Sequence, residues 1–431
     1  MTPPPAAPAS PAAPSPTEAL PPTPGSVWWP LLALIAGFAL SQAFRTVTAI
    51  LAGGLQAEFA LSAQALGLFA GTFAFAFGLS QFGMGVALDY YGLRRTLLAV
   101  FPLAIVGAGV SALAPNFATL VAGQVLIGIG CSPAFVTCTL YIARHFPPKR
   151  FAFVSGLALG LGGLGLLLTG TPMAWWVGVT SWRAGFALLG ALALLAWLAI
   201  HRWLPGATPG AHPRPDTLAG TLRGFGALFL QPHTLGIVAL ALVSYAAFLT
   251  LRGLWLGPLL TARHGFDLLQ VGHVALAMSL LSLFMPALFG RLDPGPATRR
   301  RWIVGFALTT ATVFLAMAGW QHAWTDVAAM VLVGALSGVG VLQYANVRSS
   351  YPPEVAGRAL SVFTMAMFLG VALVQWLTGW VASVAPAWGL DPYAAAMGST
   401  GLLLALGAGV FGWLPAGHPG GPDGPRPEAP R

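Results

Sequence analysis

Hydrophobic residues come in twelve long runs, at approximately 28–52, 64–88, 96–114, 117–141, 151–175, 182–203, 234–258, 269–291, 302–320, 324–346, 358–384 and 391–414. A helix rises about 1.5 Å per residue, so about 20 apolar residues cross the ~30 Å hydrocarbon core of a bilayer. The runs have roughly that length, and none shows the alternation of a membrane β-strand. The pattern predicts an all-α membrane protein with twelve transmembrane helices. Most connections are short, but 204–233 is long, polar and proline-rich, and is read as a cytoplasmic linker. It divides the chain into an N-terminal six-helix bundle over 28–203 and a C-terminal one over 234–414. Residues 1–27 and 415–431, rich in proline and small residues, are predicted to be disordered tails.

Composition agrees with the pattern. Hydrophobic residues make up 57% of the 431, and charged residues only 7%, against roughly 25% in soluble domains. The formal charge of +9 is spread over short loops without a basic stripe, which argues against nucleic-acid binding. Fourteen of the 20 Lys and Arg fall in alternate connections, among them Arg94, Arg95, Lys149, Arg150, Arg291 and Arg299 to Arg301. The opposite connections hold only Arg183 and Arg263. By the positive-inside rule the basic loops and both tails are expected in the cytoplasm. No basic n-region precedes the run at Trp28, so that run is expected to be an uncleaved helix. Cys131 and Cys138 lie two helical turns apart, too far along the axis to bridge. No nucleotide loop, zinc-ligand spacing, catalytic triad or dinucleotide fingerprint is present, so neither an enzyme nor a cofactor is expected.

The two halves repeat. Arg45 maps to Arg252 at an offset of 207, Gly67 to Gly272 at 205 and Asp89 to Asp293 at 204. Arg94-Arg95 maps to Arg299-Arg300, and Phe146-Pro147-Pro148 to Tyr351-Pro352-Pro353, both at 205. Parallel repeats of this kind are a transporter architecture, with the binding site near the midplane between halves.

The connection after the second run reads Gly85-Val-Ala-Leu-Asp89-Tyr-Tyr-Gly92-Leu-Arg94-Arg95. It resembles the signature loop of the major facilitator superfamily, with Tyr90 where a basic residue is usual. The resemblance, which covers 28–414, implies two pseudo-symmetric bundles that rock around a central cavity. It also implies a cytoplasmic gate in which Asp89 faces the start of the eleventh helix, with Gly85, Gly92, Arg94, Arg95 and the second-copy Asp293 around it. Trp182-Arg183 with Phe186 is similar to the superfamily as well. Many of its drug/proton antiporters have Arg where Gln124 stands here.

All eleven carboxylates lie in tails, loops or segment ends, so none is placed for an intramembrane proton relay. His273 is the one histidine near an expected pathway, and a helix-end position suits it better. Arg45 and Arg252, by contrast, lie about 17 residues into their helices, roughly 25 Å along the axis. A guanidinium in a bilayer is costly and cannot shed its proton. With no acid nearby in sequence, the pair points to a substrate that brings the negative charge, because the guanidinium fork matches carboxylate or phosphate oxygens. The superfamily's organophosphate and organic-anion transporters are similar in placing arginines in the first and seventh helices. Gln42 and Tyr245 share a face with their arginines, Trp255 offers a stacking wall, and Gln124 and Tyr344 lie in helices expected near the pore. The expected protein is a monomeric secondary transporter of a small organic anion in the inner membrane, driven by an ion gradient. An exporter of amphipathic compounds and a transporter-like sensor without turnover stay open as alternatives.

Overall fold

The computed structural model describes residues 27–206 and 228–417. Most of the expected linker and of both expected tails falls outside the described residues. Among the described residues eleven helices are long and apolar enough to cross a membrane, and twelve counting one bent pair as a single span. That pair is α1, Trp28–Thr46 and Thr48–Phe59, bent by 46°. It is followed by α2 (Ala63–Gln81), α3 (Tyr90–Ala112), α4 (Phe117–His145), α5 (Lys149–Val179) and α6 (Trp182–Trp203). The second half holds α7 (Pro232–Arg263), α8 (Leu268–Arg291), α9 (Pro296–Trp320), α10 (Ala323–Ser349), α11 (Val355–Trp388) and α12 (Pro392–Trp413).

Local sequence sets where these helices begin. At the end remote from the basic loops, side chains cap the first turns: Ser62, Asn116, Ser181, Asp267 and Asp391 each accept from a backbone N–H three residues on. At the basic end α5, α7, α9 and α11 open instead on prolines, whose missing N–H costs nothing in a first turn. Gly92 (φ 76°) breaks the backbone between α2 and α3, and Gly295 (φ 82°) does the same between α8 and α9. Both need the left-handed region that glycine enters freely. The signature turn is therefore present twice, although Pro294 and Pro296 obscure its second copy in the sequence.

Two six-helix bundles result, and their packing repeats as well. A Cβ at Gly165 of α5 would overlap the Ala39 carbonyl of α1; one at Gly370 of α11 would overlap the Leu242 carbonyl of α7. The same close crossing thus occurs once in each half, at offsets of 205 for the glycines and 203 for the carbonyls, near those read from the sequence. Small residues serve here because apolar helices in lipid associate through close packing rather than a hydrophobic drive.

Small residues also join the bundles to each other. Gly67 and Gly71 of α2 abut the Gln375 and Ala372 carbonyls of α11, while Gly253 and Gly257 of α7 abut the Arg45 and Ala49 carbonyls of α1. Gly272 of α8 meets Thr171 of α5. These contacts run from mid-span to the end remote from the basic loops. Toward the basic end, Gly83, Gly156, Gly160 and Gly340 have nothing within 4 Å of an added Cβ. The bundles are sealed at one end and part toward the other.

This seal is testable at Gly257. Overpacking costs ~1–3 kcal/mol, enough to shift a closed-to-open ratio about tenfold or more. In Gly257→Val, a reporter cysteine replacing Thr46, which is fully buried at the bundle interface, should react with an impermeant thiol reagent roughly tenfold faster than in the parent. Equal labelling rates would show that the close approach does not hold that end shut.

Candidate functional site

Arg45 projects from the middle of α1 into the zone where the bundles meet, with 9% of its surface exposed. Nη1 donates to Gln42 Oε1 (2.6 Å) and Nη2 to Ser41 Oγ (3.0 Å). The guanidinium carbon lies 4.7 Å from the ring centroids of both Phe77 of α2 and Phe368 of α11. Those rings pack on each other at 4.2 Å, and Tyr245 of α7 meets Phe368 edge-on at 5.7 Å. A cation over aromatic faces gains part of what it lost in leaving water. Its Nε has no hydrogen-bond partner.

Arg252 is fully buried. It lies in a π-helical turn of α7, Leu251–Trp255. Its Nε donates to Ser279 Oγ of α8 (2.9 Å). Nη2 crosses to the other bundle and donates to the Leu166 carbonyl (3.1 Å) and to the Thr169 carbonyl and hydroxyl (both 3.3 Å). Those acceptors are available because α5 is broken into Pro148–Gly162, Leu164–Leu168 and Thr171–Val179, which interrupts the backbone ladder mid-span. The Thr169 hydroxyl also lies 2.7 Å from that of Thr46. Nη1 is left without a partner. Among the described residues no carboxylate pairs with either arginine.

The other residues singled out above divide into two groups. Gln42 and Tyr245 belong to the Arg45 cluster. Tyr344 of α10 is 36% exposed and meets Phe363 of α11 edge-on at 4.9 Å. Gln124 is buried inside the N-terminal bundle with its amide nitrogen unpartnered. Trp255 does not face the cluster with a free wall. Its indole N–H donates to Thr378 (3.0 Å), its ring meets Tyr393 edge-on, and it is fully enclosed by packing. Phe77, Phe368 and Gln375, whose Oε1 is unpartnered, complete the centre. The two phenylalanines carried no signal in sequence, since a phenylalanine in an apolar run is unremarkable.

At the basic end, the side chains of Gly85 and Asp89 lie outside the described residues. Arg94 donates to the His201 carbonyl at the end of α6 (2.9 Å), and Arg95 is exposed. Asp293 is held within its own loop: Arg299 Nη2 donates to it at 2.7 Å, Arg299 Nε at 2.9 and 3.1 Å, and the Gly295 N–H at 3.1 Å. Asp326 lies at a segment end as expected, in the first turn of α10, but it is fully buried there, bound by Arg263 and His264. Proximity in sequence to a helix start concealed that the end of α7 reaches it. His273 is exposed, as its helix-end position suggested.

Comparisons with known proteins agree with this architecture. The family model of the Major Facilitator Superfamily matches residues 33–375, and the chain belongs to that family. Over 152 residues it is 30% identical to the hexuronate transporter of Bacillus subtilis (strain 168), covering 35% of this chain and 36% of that protein. It therefore spans only about a third of that relative's length. A probable sugar efflux transporter of Pasteurella multocida (strain Pm70) is 24% identical over 309 residues, 71% of this chain and 72% of the relative. The crystal structure of a D-xylose-proton symporter superposes with a TM-score of 0.71 at 16% identity, covering 91% of this chain and 98% of that one. At that identity the likeness is one of fold. The chain is thus a multi-pass membrane protein with the fold of transporters.

The Arg299 hydrogen bonds hold the Asp293 carboxyl below the usual range, against a smaller opposing effect of burial. A depressed folded-state value stabilises the fold above the ordinary aspartate range, near 3.9, and the contribution is lost as pH falls through the lowered value. Asp293→Asn should therefore lower stability by ~1 kcal/mol or less at neutral pH, because the group is partly exposed. The difference from the parent should shrink as unfolding is followed from about pH 7 to about pH 3. A deficit independent of pH would mean that the carboxylate charge is not what matters.

Proposed function

We propose that this protein is a secondary active transporter of small organic anions that works by rocker-switch alternating access. The observation that carries the reading is the pair of buried guanidiniums at the bundle interface, both without a carboxylate partner and each with one nitrogen unpaired. Breaking or omitting a buried pair is strongly unfavourable, so a cargo that arrives with the missing charge gives these cations a reason to exist. Arg45 is the primary anchor. It lies at the edge of the parted half, ordered by Gln42 and Ser41, and its free Nε edge suits a carboxylate or phosphate oxygen. Arg252 contributes from the sealed half, where its bonds to α5 join the two bundles. Tyr245 and Tyr344 supply hydroxyls on the opposite bundle. Gly85, Asp89, Gly92, Arg94, Arg95 and Asp293 form the gate at the basic end.

With the basic loops in the cytoplasm, both tails are cytoplasmic and the parted end faces inward. The protein resides in the inner membrane and acts as a monomer. The hexuronate relative, an organic-anion transporter by its name, supports the reading. The sugar efflux relative favours a second one, in which the cargo is a neutral sugar.

Binding and flux separate these readings. Hydrogen bonds to charged groups are worth ~1.5–3 kcal/mol, so Arg45→Lys should weaken binding of the preferred anion about 10- to 100-fold in a thermal-shift titration while folding is kept. Arg252→Lys should lower affinity and also stability. A hexuronate should bind while its parent hexose does not; the reverse preference would favour the sugar reading. Unchanged affinity in either variant removes that arginine from the site. Binding without flux in reconstituted vesicles would identify a sensor.

A further inference from the structure

The duplication supplies an internal control for one cluster that the transport site does not use. At the end remote from the basic loops, Arg183 pairs with Glu58 and ties the start of α6 to the tip of α1. In the second half Arg263 pairs with Asp391 and ties the tip of α7 to the start of α12. Glu58 and Arg263 are 205 residues apart, and Arg183 and Asp391 are 208 apart. The same strut therefore occurs twice, with its charges exchanged.

The second copy carries more than the strut needs. Asp326, with 0% of its side chain exposed, accepts from Arg263 at 3.3 Å and lies 2.7 Å from His264 Nε2. The positions 205 residues earlier are Val121 and Phe59, both apolar. Pinning helix tips thus requires neither the extra acid nor the imidazole. Arg263 is shared between two carboxylates, and its Nε is unpartnered. The other Asp326 oxygen, Oδ1, is buried without any partner. With a neutral imidazole, one arginine faces two acids; Asp391 is 32% exposed and partly solvated, so the excess negative charge bears on Asp326, which is 0% exposed. Such a charge is costly to bury.

We propose that His264 and Asp326 form a proton-binding site, and that its occupancy stabilises the packed tips of α7, α10 and α12. One proton added to the imidazole turns the contact with Asp326 into an ion pair and brings the cluster to neutrality. No other bond changes. The charged and titratable groups in contact with the pair or with its arginine are Arg263 at the end of α7 and Asp391 and Tyr393 of α12. Arg263 lies over the Tyr393 ring at 5.7 Å, so the α12 side offers no further cation. The consequence reaches the bundle interface because α7 also carries Gly257 and Arg252, which seal that end against α1 and α5. The proposal is independent of the anion reading: it concerns the remote seal, whatever the cargo.

The test is thermal unfolding of the purified full chain from about pH 8 to about pH 5.5, the range in which histidine takes up its proton. The unfolding temperature should rise by about 2–4 °C as pH falls. His264→Phe, which copies the duplicated Phe59, and Asp326→Asn should both remove the rise. Glu58→Gln should lower stability equally across the range and keep it. A flat profile for the unaltered protein overturns the proposal, and so does a full rise in His264→Phe. Should that variant fail to fold, His264→Gln is read in the same way.

Discussion

A charge buried in a bilayer protein must find its partners inside the protein, because hydrocarbon offers none. That constraint organises the unusual features of this fold. Arg252 meets it with interrupted backbone: the breaks in α5 free carbonyls at Leu166 and Thr169, and the guanidinium takes them up across the bundle interface. Arg45 meets it with two near hydrogen-bond partners and a pair of aromatic faces. Asp326 meets it with an arginine already shared and a histidine.

None of these solutions is complete, and the places where they fall short are where function is expected. Each arginine keeps one nitrogen unpaired, and Asp326 keeps one oxygen unpaired. Buried polar atoms of this kind are few in native proteins and call for a physical reason. At the centre the reason proposed here is a cargo of opposite charge, and at the remote end a proton. The two sites are linked by α7, which bears Arg252, Gly257 and Arg263 on one continuous but locally π-helical segment, a distortion common at functional positions.

Duplication makes the divergence legible. Glycine crossings, the positive-φ turns at Gly92 and Gly295, and the terminal struts all repeat. These are features of packing and chain reversal, which both halves need alike. Asp326 and His264 have apolar counterparts, Val121 and Phe59. What differs between the halves is therefore chemistry rather than scaffold.

Sequence by itself determined the twelve spans, the six-and-six division, the loop-charge asymmetry, the family and the isolation of Arg45 and Arg252. These follow from composition and spacing, because a bilayer demands long apolar segments and makes any charge within them conspicuous. Tertiary structure decided what each charge touches. It joined Arg252 to α5, 83 and 86 residues away in sequence, set Phe77 and Phe368 against Arg45, and enclosed Trp255 in packing. It also carried Asp326, ordinary by its position near a helix start, into a buried cluster. Burial is a sum over neighbours from distant segments, and no local pattern encodes it. A helix tip in water and one covered by a neighbour read alike until the chain is folded.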